Sequence, residues 1–184
     1  MSSAEPPIGI TLDPQFRVFR RLAPGEAPPI LRSVMLADNV SMPDLAQDEL
    51  IRTRSRLLAR QLLENPPREW RPENVEDQGP MLIIGRHEDV DRWLAARSLP
   101  TRPAEVAANR GTAQVWTLQE KSGSVIAVIS ATDAAALDAL QRPLPHYGQQ
   151  SFLVFEGGRV VSQGTWPARP QQINFARTDQ AEAP

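Results

Sequence analysis

Four groups of side chains in this sequence have the types and spacing to do chemistry, and each also has a plainer use. The run "GRHEDVD" sets His87, Glu88 and Asp91 at the start of a helical pattern that follows an apolar strand. A zinc peptidase helix carries His-Glu-x-x-His, which puts two ligands one turn apart. Here Asp91 stands at the second ligand position, and the only other histidine is His146. A zinc site needs three N, O or S ligands around an open fourth position, so the run reads as an acidic first turn set against the helix dipole. Gly85 just before it resembles the turn that cradles a phosphate. One glycine without G-x-G-x-x-G, followed by two acids, argues against a nucleotide there. The expectation is no metal, no cofactor and no catalytic residue.

A nucleophile would have to be a serine. Ser130 and Ser151 lie near a histidine in the chain, and neither sits in G-x-S-x-G. His146-Tyr147-Gly148 follows a helix stopped by Pro143 and Pro145 and precedes a strand. It reads as a sharp helix-to-strand turn whose rings cap the helix or close the sheet end, although strand-end loops also carry ligand sites. Arg52, Arg56 and Arg60 recur every fourth residue, a stripe suited to an acidic partner or a phosphate, or to neighbouring acids on a solvated face. Trp93 and Trp116 fit core positions, whereas Trp70 and Trp166 lie in less regular segments and suit a sheet edge or a partner.

Composition narrows the rest. The 184 residues are 41% hydrophobic, enough for one domain with a real core. With no cysteine, disulfides, thiolate nucleophiles and Cys-based metal sites are excluded. The net charge of −2 supplies no long-range attraction to nucleic acid or an anionic membrane. No apolar run reaches the roughly 18 residues that a membrane span needs. The opening "MSSAEPPIGI" lacks the basic and apolar regions of a signal peptide, so the expected location is cytoplasmic as the chain stands.

The elements that must position these groups follow from periodicity. Residues 1–7 and 168–184 read as polar flexible tails, leaving an α/β domain over 8–167. Two extended runs, 8–12 and 16–22, break at Asp13-Pro14, and a short helix follows prolines 28 and 29. A long helix is expected over 44–64, with Leu50, Ile51, Leu57, Leu58 and Leu62 on its apolar face. An irregular acidic connection carries Trp70. Then "MLII" is a buried strand, Gly85 allows a turn, and "EDVDRWLAAR" is an amphipathic helix. "QVWTLQ" and "SVIAVIS" are strands joined as a hairpin, and Thr132 caps an Ala/Leu helix. "SFLVFE" and "RVVSQG" flank Gly157-Gly158, a hairpin signal that sets Glu156 opposite Arg159. The strand, helix and strand over 125–156 form a parallel crossover. The sum is a single α/β domain: a mixed sheet with helices packed on it and a C-terminal β-hairpin.

Two stretches, "TLDPQFRVFRRLAPGEAPPIL" and "LPHYGQQSFLVFEGGRVVSQGTWP", resemble the opening and closing segments of a known domain. It is the non-catalytic α/β domain appended C-terminally to some bacterial zinc aminopeptidases of the gluzincin, aminopeptidase-N-like type. "MLIIGRHEDVDRW" and "SVIAVIS" fall where that domain has its inner strand–turn–helix and next strand. The resemblance implies an accessory module whose motif residues are architectural. Departures lie between Ser41 and Asn74, where a short apolar strand is expected before the helix, and at Gln149-Gln150 after "HYG". The expected function is a non-catalytic accessory or interaction module that meets a protein partner or neighbouring domain, with His146, Tyr147, Trp166, Arg52, Arg56 and Arg60 as its binding residues. The alternatives are a small hydrolase using His146 or His87 with nearby acids, and a carrier of a small ligand.

Overall fold

The computed structural model describes residues 9–11, 13, 17–19, 26–71, 79–120, 122–168 and 172–174. In chain order the strands are β1 (Gly9–Thr11), β2 (Ser41–Met42), β3 (Arg68–Glu69), β4 (Met81–Arg86), β5 (Ala113–Gln119), β6 (Val125–Ala131), β7 (Phe152–Glu156), β8 (Arg159–Gly164) and β9 (Gln172–Asn174). The helices are α1 (Arg32–Met35), α2 (Glu49–Leu62), α3 (His87–Ala96) and α4 (Ala134–Leu140), with 3₁₀ turns at Ala104–Val106 and Leu144–Tyr147. The chain divides into two units, Pro28–Trp166 and the paired ends Met1–Ala27 with Pro167–Pro184.

The larger unit is an α/β fold around one mixed sheet of seven strands, ordered β3-β2-β4-β6-β5-β7-β8. Strands β3, β2, β4 and β6 run parallel, and β5, β7 and β8 continue the sheet antiparallel. Hairpin β5–β6 forms as expected. The crossover β6–α4–β7 also forms, but β5 sits between its two strands. The hairpin β7–β8 closes the sheet, with Glu156 opposite Arg159 and φ +56° at Gly157, an angle that favours glycine.

"MLII" is apolar throughout because both faces of β4 are covered. Leu82, Ile84, Ala127, Ile129, Val115 and Phe155 face the layer built by α1, α2 and α4. Met81, Ile83, Ile126, Val128, Trp116 and Val154 face α3 and the Ala104–Val106 turn. The alternation along β5 and β6 thus sends successive residues into two separate cores. Pro29 anchors the segment before α1: its carbonyl accepts hydrogen bonds from Thr117 Oγ1 at 2.7 Å and Ser151 Oγ at 2.6 Å.

Several local expectations need correction. Helix α2 begins at Glu49, with the Asp48 carboxylate capping Leu50 N, so Asp44 lies outside it. Its buried face is Ile51, Ser55, Leu58, Ala59 and Leu62, while Leu50 and Leu57 are 53% and 40% exposed. The cap of α4 is Asp133, which accepts from Ala136 N at 2.8 Å, rather than Thr132. Arg68 and Glu69, read as irregular, form the parallel edge strand β3. Gly85 lies inside β4 and Gly148 has φ −55°, so neither supplies an unusual backbone angle. A Cβ on Gly148 would sit 3.3 Å from Arg32 Cβ, so close approach to α1 is what glycine permits there.

In the smaller unit β1 pairs antiparallel with β9, whose residues fall in the segment read as a C-terminal tail. The Asp13 carboxylate accepts from the backbone N of Arg17 at 2.8 Å and of Val18 at 3.0 Å. Residues 17–19 are therefore not the second extended run. Residues 1–7, the first expected tail, lie outside the described residues.

Candidate functional site

The arginine stripe borders a cleft of about 360 Å³ between α2, the loop after β2 and the segment that enters β3. Spacing by four on α2 stacks Arg52, Arg56 and Arg60 along one side of the helix, next to its buried face. Loop residues Pro43 and Leu45 wall the cleft, Pro66 and Pro67 close it from the other side, and Ile84 of β4 lies at its base. Arg68 of β3 adds a fourth guanidinium.

The four cations are not equivalent. Arg52 donates to Asp44 Oδ2 at 2.7 Å and to the Ala46 carbonyl at 2.6 Å, and pairs with Glu49. The hydrogen bond to Asp44 first, then that to Glu49, holds the Arg52 pKa above its ordinary value. Arg52 thereby fastens the loop after β2 onto α2. Arg56 Nη2 lies 3.5 Å from the same Asp44 carboxylate. Glu69, the other acid on the lining, pairs with Arg71 at 3.3 Å. Arg60 and Arg68 also line the cleft and are exposed, with no side-chain ion pair or hydrogen bond among the described residues. Ser55 also lines it, and its buried Oγ has no hydrogen-bond partner among the described residues.

A second polar group is assembled where α3 starts, at the carboxyl ends of β4 and β6. His87 Nδ1 lies 3.0 Å from Ser130 Oγ. Arg102 Nη1 donates to Ser130 Oγ at 2.7 Å and to Gln114 Oε1 at 3.1 Å, and Ser130 Oγ donates to Gln114 Oε1 at 3.2 Å. Gln114 Nε2 donates in turn to the Arg110 carbonyl at 2.7 Å. Arg102 also binds Asp91 at 2.9 Å and lies 4.7 Å over the Trp116 ring. Its side chain is 9% exposed and that of Asp91 is 45% exposed, so the network meets solvent through the carboxylate.

Ser130 Oγ accepts from Arg102 and lies within hydrogen-bond reach of both Gln114 Oε1 and His87 Nδ1, so the direction of the His87–Ser130 bond follows the imidazole tautomer. His87 Nε2 is buried and has no hydrogen-bond partner among the described residues. A serine nucleophile needs an imidazole that accepts the hydroxyl proton and a carboxylate that orients its other nitrogen, and His87 Nε2 meets no such carboxylate among the described residues. Burial first, then the charge of Arg102, lowers the His87 pKa, against an opposing pull from Asp91. A hollow of about 350 Å³ borders Asp91 and Arg102, but His87 and Ser130 are not on its lining. Among the described residues no three His, Asp or Glu side chains cluster to hold a metal ion.

Of the residues singled out from sequence, the structure brings Arg52, Arg56 and Arg60 to one cleft and leaves His146, Tyr147 and Trp166 off its lining. Tyr147 packs edge-on against Phe155 at 6.1 Å, and His146 is exposed on the Leu144–Tyr147 turn. Trp166 stacks on Phe152 at 4.9 Å and donates to the Thr117 carbonyl at 2.9 Å. Trp70 meets Trp93 edge-on, with Arg97 3.7 Å over the Trp70 ring. Spacing could not show Arg68, Arg102 or Gln114. Gln114 alone left a trace, as a polar residue on the strand face that also carries Trp116 and Leu118.

No protein-family model matches the chain, and a search of curated proteins finds no match. Among the described residues no helix is long and apolar enough to cross a membrane.

Proposed function

We propose that this chain is a non-catalytic accessory module that recognises an acidic protein partner, or a neighbouring domain, through the arginine cleft. The observation that carries this reading is the pair Arg60 and Arg68, which open onto the cleft with no carboxylate partner among the described residues, while Arg52 and Arg56 share Asp44. Unmatched guanidiniums above apolar walls favour a partner that brings both negative charge and apolar surface. The resemblance of the chain's end stretches to the gluzincin accessory domain points the same way, since such a domain acts beside a catalytic one.

The hydrolase reading draws on one distance, His87 to Ser130 at 3.0 Å. The surroundings work against it, because His87 Nε2 has no orienting carboxylate among the described residues and neither residue lines the adjoining hollow.

A tagged pull-down with wild type, Arg60→Glu/Arg68→Glu and Arg92→Glu tests the proposal. One recurrent protein should be captured by wild type and by Arg92→Glu and lost on reversal of Arg60 and Arg68. Capture that ignores the reversal would refute the cleft as the recognition face.

A further inference from the structure

We infer that the group taken by the cleft is a phosphate monoester on a partner side chain, held between Arg60 and Arg68, with an adjoining apolar group on the proline walls. This rests on the reading of the cleft as the recognition face and names the chemistry it selects. Among the described residues four guanidiniums and two carboxylates line the cleft, a surplus of two positive charges. Both carboxylates are occupied, Asp44 by Arg52 and Arg56 and Glu69 by Arg71, so the surplus resides on Arg60 and Arg68.

One carboxylate carries a single charge and leaves one of those guanidiniums unmatched. Two carboxylates would have to share a space of about 360 Å³ with each other's repulsion. A phosphate monoester brings nearly two charges and three acceptor oxygens in one compact group, which suits two planar forks of N–H donors. The walls add the second requirement. Pro43, Leu45, Pro66, Pro67 and Ile84 offer no hydrogen-bonding side chain, so the carrier of the phosphate must present apolar surface to them.

Phenyl phosphate, benzoate and inorganic phosphate are the probes, titrated calorimetrically at low salt into wild type and Arg60→Gln/Arg68→Gln. Both arginines are exposed, so the variant should keep the wild-type melting temperature. Phenyl phosphate should bind wild type about tenfold more tightly than benzoate, through its second charge and added acceptor. Inorganic phosphate should bind more weakly than phenyl phosphate, and the double variant should lose the preference for phosphate. Equal binding of phenyl phosphate and benzoate, both lost in the variant, would overturn the phosphate assignment and leave the cleft as a general anion site. Equal binding of phenyl phosphate and inorganic phosphate would overturn the role of the walls. Binding that the variant retains, or no binding of any probe, would overturn the phosphate site, and a pull-down partner indifferent to Arg60 and Arg68 would remove the underlying reading as well.

Discussion

Arg102 reaches Ser130 across 28 residues of chain, its Nη1 donating to the serine Oγ at 2.7 Å inside a network that also holds Gln114, His87 and Asp91. Ser130 and Gln114 are fully buried between α3 and the sheet. Polar groups persist in such a place because each meets a partner, and leaving one unsatisfied costs about 1–3 kcal/mol. The network fastens the segment between α3 and β5 to the carboxyl end of β6, and so holds the start of α3 in place.

Two substitutions separate its parts. Ser130→Ala leaves Arg102 and Gln114 bonded to each other but takes the partner from His87 Nδ1, so it should cost about 1–2 kcal/mol. Arg102→Met strips the donor from Ser130, Gln114 and Asp91 at once, and should cost about 2–3 kcal/mol. Urea unfolding of both variants at pH 7.5 measures the difference. An Arg102 variant no costlier than Ser130→Ala would mean that the guanidinium is a passenger.

Acid should weaken the fold through His87. Its folded pKa lies below the ordinary histidine value, so the unfolded chain binds the proton more readily. The contribution of neutral His87 is therefore complete above the ordinary value of about 6.5 and is lost as pH falls from there through the lowered folded pKa. Protonation would put an N–H on both ring nitrogens, with nothing among the described residues to accept the buried one at Nε2, beside the Arg102 cation. Melting temperature should fall between pH 7.5 and 5, and fall less in His87→Gln than in His146→Gln. Parallel curves for wild type and His87→Gln would place the acid sensitivity elsewhere.

The rings read from sequence as binding residues should matter for stability. Trp166 keeps a stack on Phe152 and a hydrogen bond to Thr117, so Trp166→Ala should cost about 2 kcal/mol. Tyr147→Ala should cost a similar amount by uncovering Phe155. His146 is exposed, and His146→Ala should stay within about 0.5 kcal/mol of wild type. Chemical denaturation reads all three, and a costly His146→Ala would reverse the assignment of roles within "LPHYGQQ".

The sheet was legible because its signals are local. Alternation along Val115–Leu118 and the glycine pair between Phe155 and Val160 each depend on a few neighbouring residues. The cleft depends on residues that meet only after folding. Spacing displays Arg52, Arg56 and Arg60 as a helix stripe, but Arg68 comes from an edge strand two residues long, held by its pairing with β2. Asp44 looked helical from its fourfold spacing with Arg52; in the fold it leaves the helix and binds that arginine from the preceding loop. Leu50 and Leu57 matched an apolar face, yet the sheet takes up Ser55 and Ala59 instead, because small residues let α2 approach closely. His87 and Ser130 show no relation in the sequence, since 43 residues separate them and their meeting depends on β4 pairing with β6.

Two glycines test how backbone angle and space divide the cost of a side chain. Gly111 and Gly157 both have positive φ, +72° and +56°. Around Gly157 an added Cβ would meet nothing within 4 Å, so Gly157→Ala should cost only the left-handed strain, about 1 kcal/mol. At Gly111 the same atom would lie 2.2 Å from the Phe155 carbonyl oxygen. That oxygen cannot readily retreat, because it accepts the Thr112 N–H at 2.8 Å beside the β5–β7 pairing. Gly111→Ala should therefore cost more than about 3 kcal/mol, the strain plus a displaced strand. The displacement would also reach Gln114, whose side chain donates to the carbonyls of Arg110 and Gly111. Hydrogen exchange should then show lost protection at Thr112 in Gly111→Ala and unchanged protection there in Gly157→Ala. Equal costs at the two positions would mean that backbone angle alone sets the penalty and that the turn before β5 can yield at Phe155.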